Sequence, residues 1–295
     1  MSDYPANDAH KSGYVLEFAD EFEGPELDTG KWLPCHLPQW SSRARAAANA
    51  GFEERCLVLQ ITADQPAWCP EFDGDVRVSS LQTGVFSGPV GSEIGQHRFN
   101  PRSVVREAQA ARITYAPIHG FFEMRAKGPR TRGNHAALWM IGFEDAPDRS
   151  SEICVCELFG QDRGRESSLV RFGVHPFGDA RIADDFRALR LPIDTSEFHI
   201  YAAEWTPECI RFYVDNEELG EIAQSPAYPM QLMLGLYERP QDTDPLDPSY
   251  PKRFVVDYLR CWRPVGGYPG GVRHDPGSRQ DISDGGNAAR VRGRD

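Results

Sequence analysis

The chain has 295 residues, of which 40% are hydrophobic, and a formal net charge of −12. That length holds one large all-β domain or two small ones, with apolar material enough for a core. The negative balance argues against nucleic acid or an anionic membrane surface as partner, leaves neutral ligands open and disfavours sulfated or uronic polysaccharides; no apolar run approaches the ~18 residues of a membrane span.

Residues 1–12 are polar and lack an apolar h-region, so they read as a disordered arm without a secretory signal. Seven cysteines, an odd number without framework spacing, and the lack of an N-x-S/T sequon favour reduced thiols and a cytoplasmic location. Long irregular stretches run through residues 33–49, 63–75 and 88–112. Loops of that length are functional or flexible, and in a sandwich they would wall a cleft. A short helix is expected at residues 101–111.

The run Ser151-Glu152-Ile153-Cys154-Val155-Cys156-Glu157-Leu158-Phe159-Gly160 reads as a strand carrying two glutamates five residues apart. Two carboxyls held together on a rigid element suit glycoside cleavage, one attacking the anomeric carbon and the other protonating the leaving oxygen. Regular alternation puts Glu152, Cys154 and Cys156 on one face and Glu157 on the other. A β-bulge between the glutamates would bring both to one face; without it the run is a strand with polar ends. Small buried thiols are the default for Cys154 and Cys156, and C-x-C with His175 is a weak metal signal.

Further on, Val170, Phe172 and Val174 alternate with Arg171 and His175. Ile210, Phe212 and Val214 form another inward set. Leu232, Leu234 and Leu236 alternate with Gln231, Met233, Gly235 and Tyr237. Many strands of period two indicate an all-β sandwich of two antiparallel sheets, and the polar and aromatic face of a curved sheet gives a concave cleft. The proline-rich segment 239–251 is expected to be extended and exposed, and the Gly- and Arg-rich residues 266–295 to be a disordered tail. Residues 13–265 then form one domain.

Several segments resemble the glycoside hydrolase family 16, the laminarinase and β-glucanase group. The run 151–160 looks like its E-x-D-x-x-E signature in the bulged form. Phe18-Ala19-Asp20-Glu21-Phe22 resembles the family's opening strand, and Gly120-Phe121-Phe122-Glu123-Met124-Arg125-Ala126-Lys127 its G-x-F-E-x-R-x-K strand. Phe198-His199-Ile200-Tyr201-Ala202-Ala203-Glu204-Trp205-Thr206-Pro207 and Phe254-Val255-Val256-Asp257-Tyr258-Leu259-Arg260 are similar to two later blocks.

The resemblance implies a jelly-roll domain acting on carbohydrate, β-1,3-glucan-like, as a retaining endo-glycosidase or transglycosidase, with no cofactor required for catalysis and a monomer expected. It makes Glu152 the nucleophile and Glu157 the general acid/base, and it implies a secreted enzyme, against the absence of a signal. Cys154 departs from the motif, which has aspartate there. A thiol of ordinary pKa about 8.5 stays neutral beside carboxylates, so a retuned enzyme and a non-catalytic carbohydrate-binding protein both remain open. Trp139 matches the second tryptophan of the family's G-x-W-P-A-x-W segment and His135 stands in place of the first; with His175, Arg171 and Tyr237 they are the candidate substrate contacts. Gly235 would widen the site. Asp257 matches an aspartate that binds a structural calcium in many members.

Overall fold

The computed structural model describes residues 3–243 and 249–268. Its strands in chain order are β1 (Tyr14–Asp20), β2 (Ala50–Glu53), β3 (Cys56–Ile61), β4 (Arg77–Gln82), β5 (Gly84–Val85), β6 (Arg112–Ile113), β7 (Gly120–Lys127), β8 (Asn134–Gly142), β9 (Glu152–Phe159), β10 (Ser168–His175), β11 (Asp185–Leu191), β12 (His199–Trp205), β13 (Ile210–Val214), β14 (Glu217–Ile222), β15 (Met230–Glu238) and β16 (Lys252–Pro264). An eight-stranded sheet runs β14-β13-β12-β7-β16-β3-β2, with β1 pairing to the second half of β16. A six-stranded sheet runs β11-β10-β9-β8-β15-β4, and β5 and β6 form a small ladder. Pairing within each is antiparallel, as the period-two patterning predicts.

The sheets pack face to face through their alternate residues. Phe122, Met124 and Ala126 of β7 and Tyr201, Ala203 and Trp205 of β12 meet Leu138 and Met140 of β8 and Leu232, Leu234 and Leu236 of β15 in one buried core. The expected inward sets of β10 and β13 lie in that core too. Its side chains leave the opposite face of the six-stranded sheet to the odd-numbered residues of β8, β10 and β15.

Three expectations change. Residues 101–111 form no helix: the Val105 N–H donates to Ser92 O, the Gly91 N–H to Val105 O and the Arg106 N–H to Gln39 O. Those cross-loop bonds use donors that a helix would keep for itself. The amino-terminal segment is not a free arm. The Tyr4 N–H donates to Phe198 O at 2.7 Å, Arg125 Nη2 to Tyr4 O at 2.7 Å, Arg260 Nη1 to Asn7 O at 2.8 Å and Trp262 Nε1 to Ala9 O at 3.1 Å. Lys11 Nζ rests 3.5 Å from the centroid of the Phe121 ring. The segment thus covers the outer face of β7 and β16, where polar composition serves hydrogen bonding rather than solvation. Of the segment 239–251, Pro240–Asp242 form a 3₁₀ turn and residues 244–248 lie outside the described residues, as do 269–295 of the expected tail.

Removing residues 1–12 deletes these bonds and bares Phe121 and Trp262. At about 1 kcal/mol per net hydrogen bond, offset in part by the freed chain entropy, the truncated protein is expected to melt on the order of 5–10 °C lower, read by calorimetry. An unchanged transition would show that the segment contributes nothing to stability.

Candidate active site

The site begins with one extra residue in β9. On the β8 side Leu138 pairs with Cys156 and Trp139 with Cys154; on the β10 side Arg171 pairs with Glu157 and Gly173 with Cys154. Both neighbours pass over Val155, so β9 carries the bulge that the glutamate pair requires. Ile153, Val155, Cys156 and Leu158 all enter the core. Glu152, opposite Ile141 and His175, and Glu157, opposite Ala137 and Arg171, share the outer face with Cys154 between them. Gly173 faces the bulge at φ 150°, where a Cβ would lie 2.2 Å from Asp185 O, so the close approach of β11 demands glycine.

Around the pair the face is aromatic and strongly desolvated. Trp139 is 7% exposed, and its Nε1–H donates to Tyr237 Oη at 2.9 Å. His135 lies parallel between the rings of Phe159 and Tyr237, at centroid distances of 4.7 and 4.6 Å. The space above Gly235 is not an enlarged site: a Cβ there would stand 2.5 Å from Tyr237 Oη, because the tyrosine ring folds back over it. Arg171 reaches Asp162 Oδ2 through Nε at 3.1 Å and covers the Phe159 ring. His175 Nδ1 is 2.6 Å from Asp184 Oδ1, and its ring packs on Phe186. The structure therefore brings Glu152, Cys154, Glu157, Trp139, His135, His175, Arg171 and Tyr237 to one face.

Loops supply residues that strand periodicity does not mark. Leu33, Leu37, Trp40, Trp68 and Val105 pack with Trp139, Cys154 and Met233 into a second apolar cluster, so the expected loop walls also roof part of the sheet. His36 packs against Trp68 and Tyr237. His97 packs against Trp139 and Phe177, with Nδ1 3.9 Å from Glu152 Oε2. Its backbone N–H donates to Glu144. Phe159 alone among the missed contacts had a signal, its place two residues beyond Glu157.

Burial governs the protonation states. It pushes Glu152 well above the usual carboxylate range, and the neighbouring Glu157 adds to this. Glu157 is raised by burial too, but His175, Arg171 and Arg239 hold it down. The Cys154 thiol, fully buried between two carboxyls, is pushed up and stays neutral. Burial lowers His36 to about 3, His97 to about 4 and His135 to about 3, so these imidazoles are neutral at neutral pH.

Asp257 lies in β16 of the other sheet. Its Oδ2 is 2.7 Å from Arg125 Nη1, a guanidinium that satisfies its charge and repels a cation. Among the described residues no group of three or more His, Cys, Asp or Glu is placed to hold a metal. The surroundings of Asp257 do not fit a calcium ion.

Comparison with known proteins gives a concordant result. A family model described as glycosyl hydrolases family 16 matches residues 107–258. A beta-glucanase of Rhodothermus marinus is 31% identical over 171 residues, 49% of this chain and 57% of that protein, so the chain spans little more than half of that relative. A glucan endo-1,3-beta-glucosidase of Cryptopygus antarcticus is 25% identical over 270 residues, 89% of this chain and 85% of that protein. Among solved structures, a GlcNAcα1-4Gal-releasing endo-β-galactosidase from Clostridium perfringens is 33% identical, with a TM-score of 0.80 over 92% of this chain and 67% of that one. The laminarinase of Rhodothermus marinus shares the fold, with a TM-score of 0.58 at 21% identity over 85% of this chain and 98% of that one.

Glu144, above the site, yields a pH test. Burial raises it from 4.5 to about 8. Below pH about 4.5 it is protonated in both folded and unfolded chains; above that the unfolded chain releases the proton while the folded chain holds it, so stability falls as pH rises toward about 8. Glu144→Gln keeps an acceptor for the His97 N–H and removes the titration. Its Tm relative to wild type is expected to be level near pH ~4 and to rise progressively up to pH ~8; a difference independent of pH would place the raised proton elsewhere.

Proposed function

The chain belongs to glycosyl hydrolase family 16, and from that premise we propose that it is a retaining, endo-acting β-glycosidase. One observation carries the reading: the bulge at Val155 sets Glu152 and Glu157 on the same face of a rigid sheet, flanked by stacked aromatic side chains. Glu152 attacks the anomeric carbon and forms a glycosyl ester. Glu157, partly open to the cleft and raised by its burial, gives its proton to the leaving oxygen. It then takes a proton from the water that attacks the ester, releasing the sugar with its β-configuration retained.

For the substrate we favour an internal β-galactoside. The support is the likeness to the endo-β-galactosidase, which extends over 92% of this chain at a TM-score of 0.80, whereas the laminarinase fold fits at 0.58. His135, held flat between Phe159 and Tyr237, replaces the broad tryptophan that the glucanase-type segment carries there, and it offers a sugar a polar ring edge. The neutral thiol at Cys154 favours a second reading, a carbohydrate-binding protein without hydrolysis.

Purified protein incubated with internal β-galactosides, β-1,3-glucan and mixed-linkage glucan, scored for binding and for new reducing ends, tests these readings. Release from the galactoside, with the β-anomer seen first by proton NMR, is the expected outcome. Release from glucan alone would overturn the substrate class, an α-anomer the retaining mechanism, and binding without release the enzyme itself. Glu152→Gln and Glu157→Gln are each expected to lower kcat by about 10²–10⁴-fold while leaving binding within about threefold.

A further inference from the structure

Glu152 is 7% exposed, and among the described residues its carboxyl accepts no hydrogen bond. A carboxylate so buried is costly without a donor. The thiol of Cys154 is a weak one. His97 presents the complementary deficit, since its Nδ1 is buried with no hydrogen-bond partner. The two unsatisfied atoms face each other at 3.9 Å, a gap too short for a bridging water and about 1 Å too long for a hydrogen bond. Hydrogen bonds that serve catalysis often reach full strength only in the substrate complex.

The surroundings hold His97 in that attitude. Its backbone is left-handed, φ 50°, and so are those of Glu144, which accepts its N–H, and of Phe177, which flanks its ring, at φ 58° and 45°. Three side-chain-bearing residues in a sparsely populated region, meeting at His97, are the kind of strain that persists where geometry matters. The preceding residue is anchored as well: Gln96 O accepts from Trp40 Nε1 at 2.9 Å and from Gln39 Nε2 at 3.0 Å. The other face of the imidazole site is the ring of Trp139, centroid distance 5.0 Å.

We propose that His97 is the positioning residue of Glu152: its neutral imidazole donates Nδ1–H to the carboxylate Oε2 when the cleft is occupied, orienting the nucleophile and stabilising its ionised form in place of a donor at position 154. This rests on the retaining reading above. Burial, which keeps His97 neutral, makes it a hydrogen-bond donor rather than a competing charge.

His97→Phe keeps the ring contacts and removes the donor; kcat on the cleaved glycan is expected to fall about 10²-fold with KM within about threefold. His97→Asn suits the left-handed backbone and keeps an N–H near the Nδ1 position, and is expected to stay within about tenfold of wild type. Cys154→Asp, which returns an acidic donor beside Glu152, is expected to recover at least about tenfold in the His97→Phe background and to change the wild type by less, a coupling that independent sites do not show. Equal losses in the Phe and Asn variants, an unchanged kcat in His97→Phe, or no recovery by Cys154→Asp would each overturn the proposal. A readout free of turnover separates it from the enzyme reading: in ¹⁵N-labelled protein saturated with the bound glycan the His97 Nδ1 resonance is expected to differ between wild type and Glu152→Gln, and constancy of that resonance sinks the contact. If wild-type protein cleaves no glycan, the retaining reading falls while the nitrogen resonance still decides whether His97 addresses Glu152.

Discussion

The site depends on a single inserted residue. Without Val155 as the extra step in β9, period-two alternation would send Glu157 into the core, among side chains that are almost wholly apolar, and draw Cys156 onto the cleft face. An unpaired carboxyl in that core would cost several kcal/mol, so the apolar pressure on Val155, Cys156 and Leu158 stabilises the bulge as firmly as the bulge serves the glutamates. The neighbouring strands are fitted to it. Gly173 allows β11 to approach opposite the bulge, and Trp139, paired with Cys154, has a register fixed by the same irregularity. A slip of one residue anywhere in the β8–β9–β10 ladder would scatter the cleft residues over both faces.

The second constraint is the roof. Loops carrying Trp40, Trp68 and Val105 bury part of a face that would otherwise stand in water, and so turn a shallow sheet surface into a low-dielectric site. That burial makes three histidines neutral and raises both glutamates. It also explains why Trp139, a candidate substrate contact, is nearly enclosed by His97 and Tyr237. Exposed aromatic surface is found instead at Phe177, which is 48% accessible at the rim beside His175.

What the sequence disclosed follows from which forces are local. Alternation placed Arg171 and His175 opposite Val170 and Phe172, and Tyr237 opposite Leu236, because each strand's inward set is read from its own residues. The bulge was legible only through resemblance, since spacing alone also fits a regular strand. His36 and His97 escaped, because loop residues obey no period and their positions depend on chain segments far away in sequence. The amino-terminal segment departs from its reading for a related reason: it is polar as a whole, yet backbone groups of Tyr4, Asn7 and Ala9 pair with Phe198, Arg260 and Trp262, more than 190 positions away. Gly235 misled because the missing side chain was filled by Tyr237, two residues along the same strand.

The two glutamates are electrostatically unequal, in a sense that matters for the proposed chemistry. Glu152 lies deeper and feels Glu157 as a like charge, while Glu157 sees Arg171, His175 and Arg239. Protonation is thus favoured more strongly at Glu152 than at Glu157. Retaining cleavage requires the reverse, an ionised Glu152 and a protonated Glu157. Substrate can invert the order, because a sugar ring laid over the site removes water from Glu157 and brings developing positive charge at the anomeric carbon against Glu152. A donor at Nδ1 of His97 acts in the same direction without introducing charge. The negative charge of the whole chain opposes any ionisation here only weakly, since the desolvated cleft responds to groups a few ångströms away. The reactive protonation state is therefore a property of the complex, built from the bulge, the roof and the sugar together.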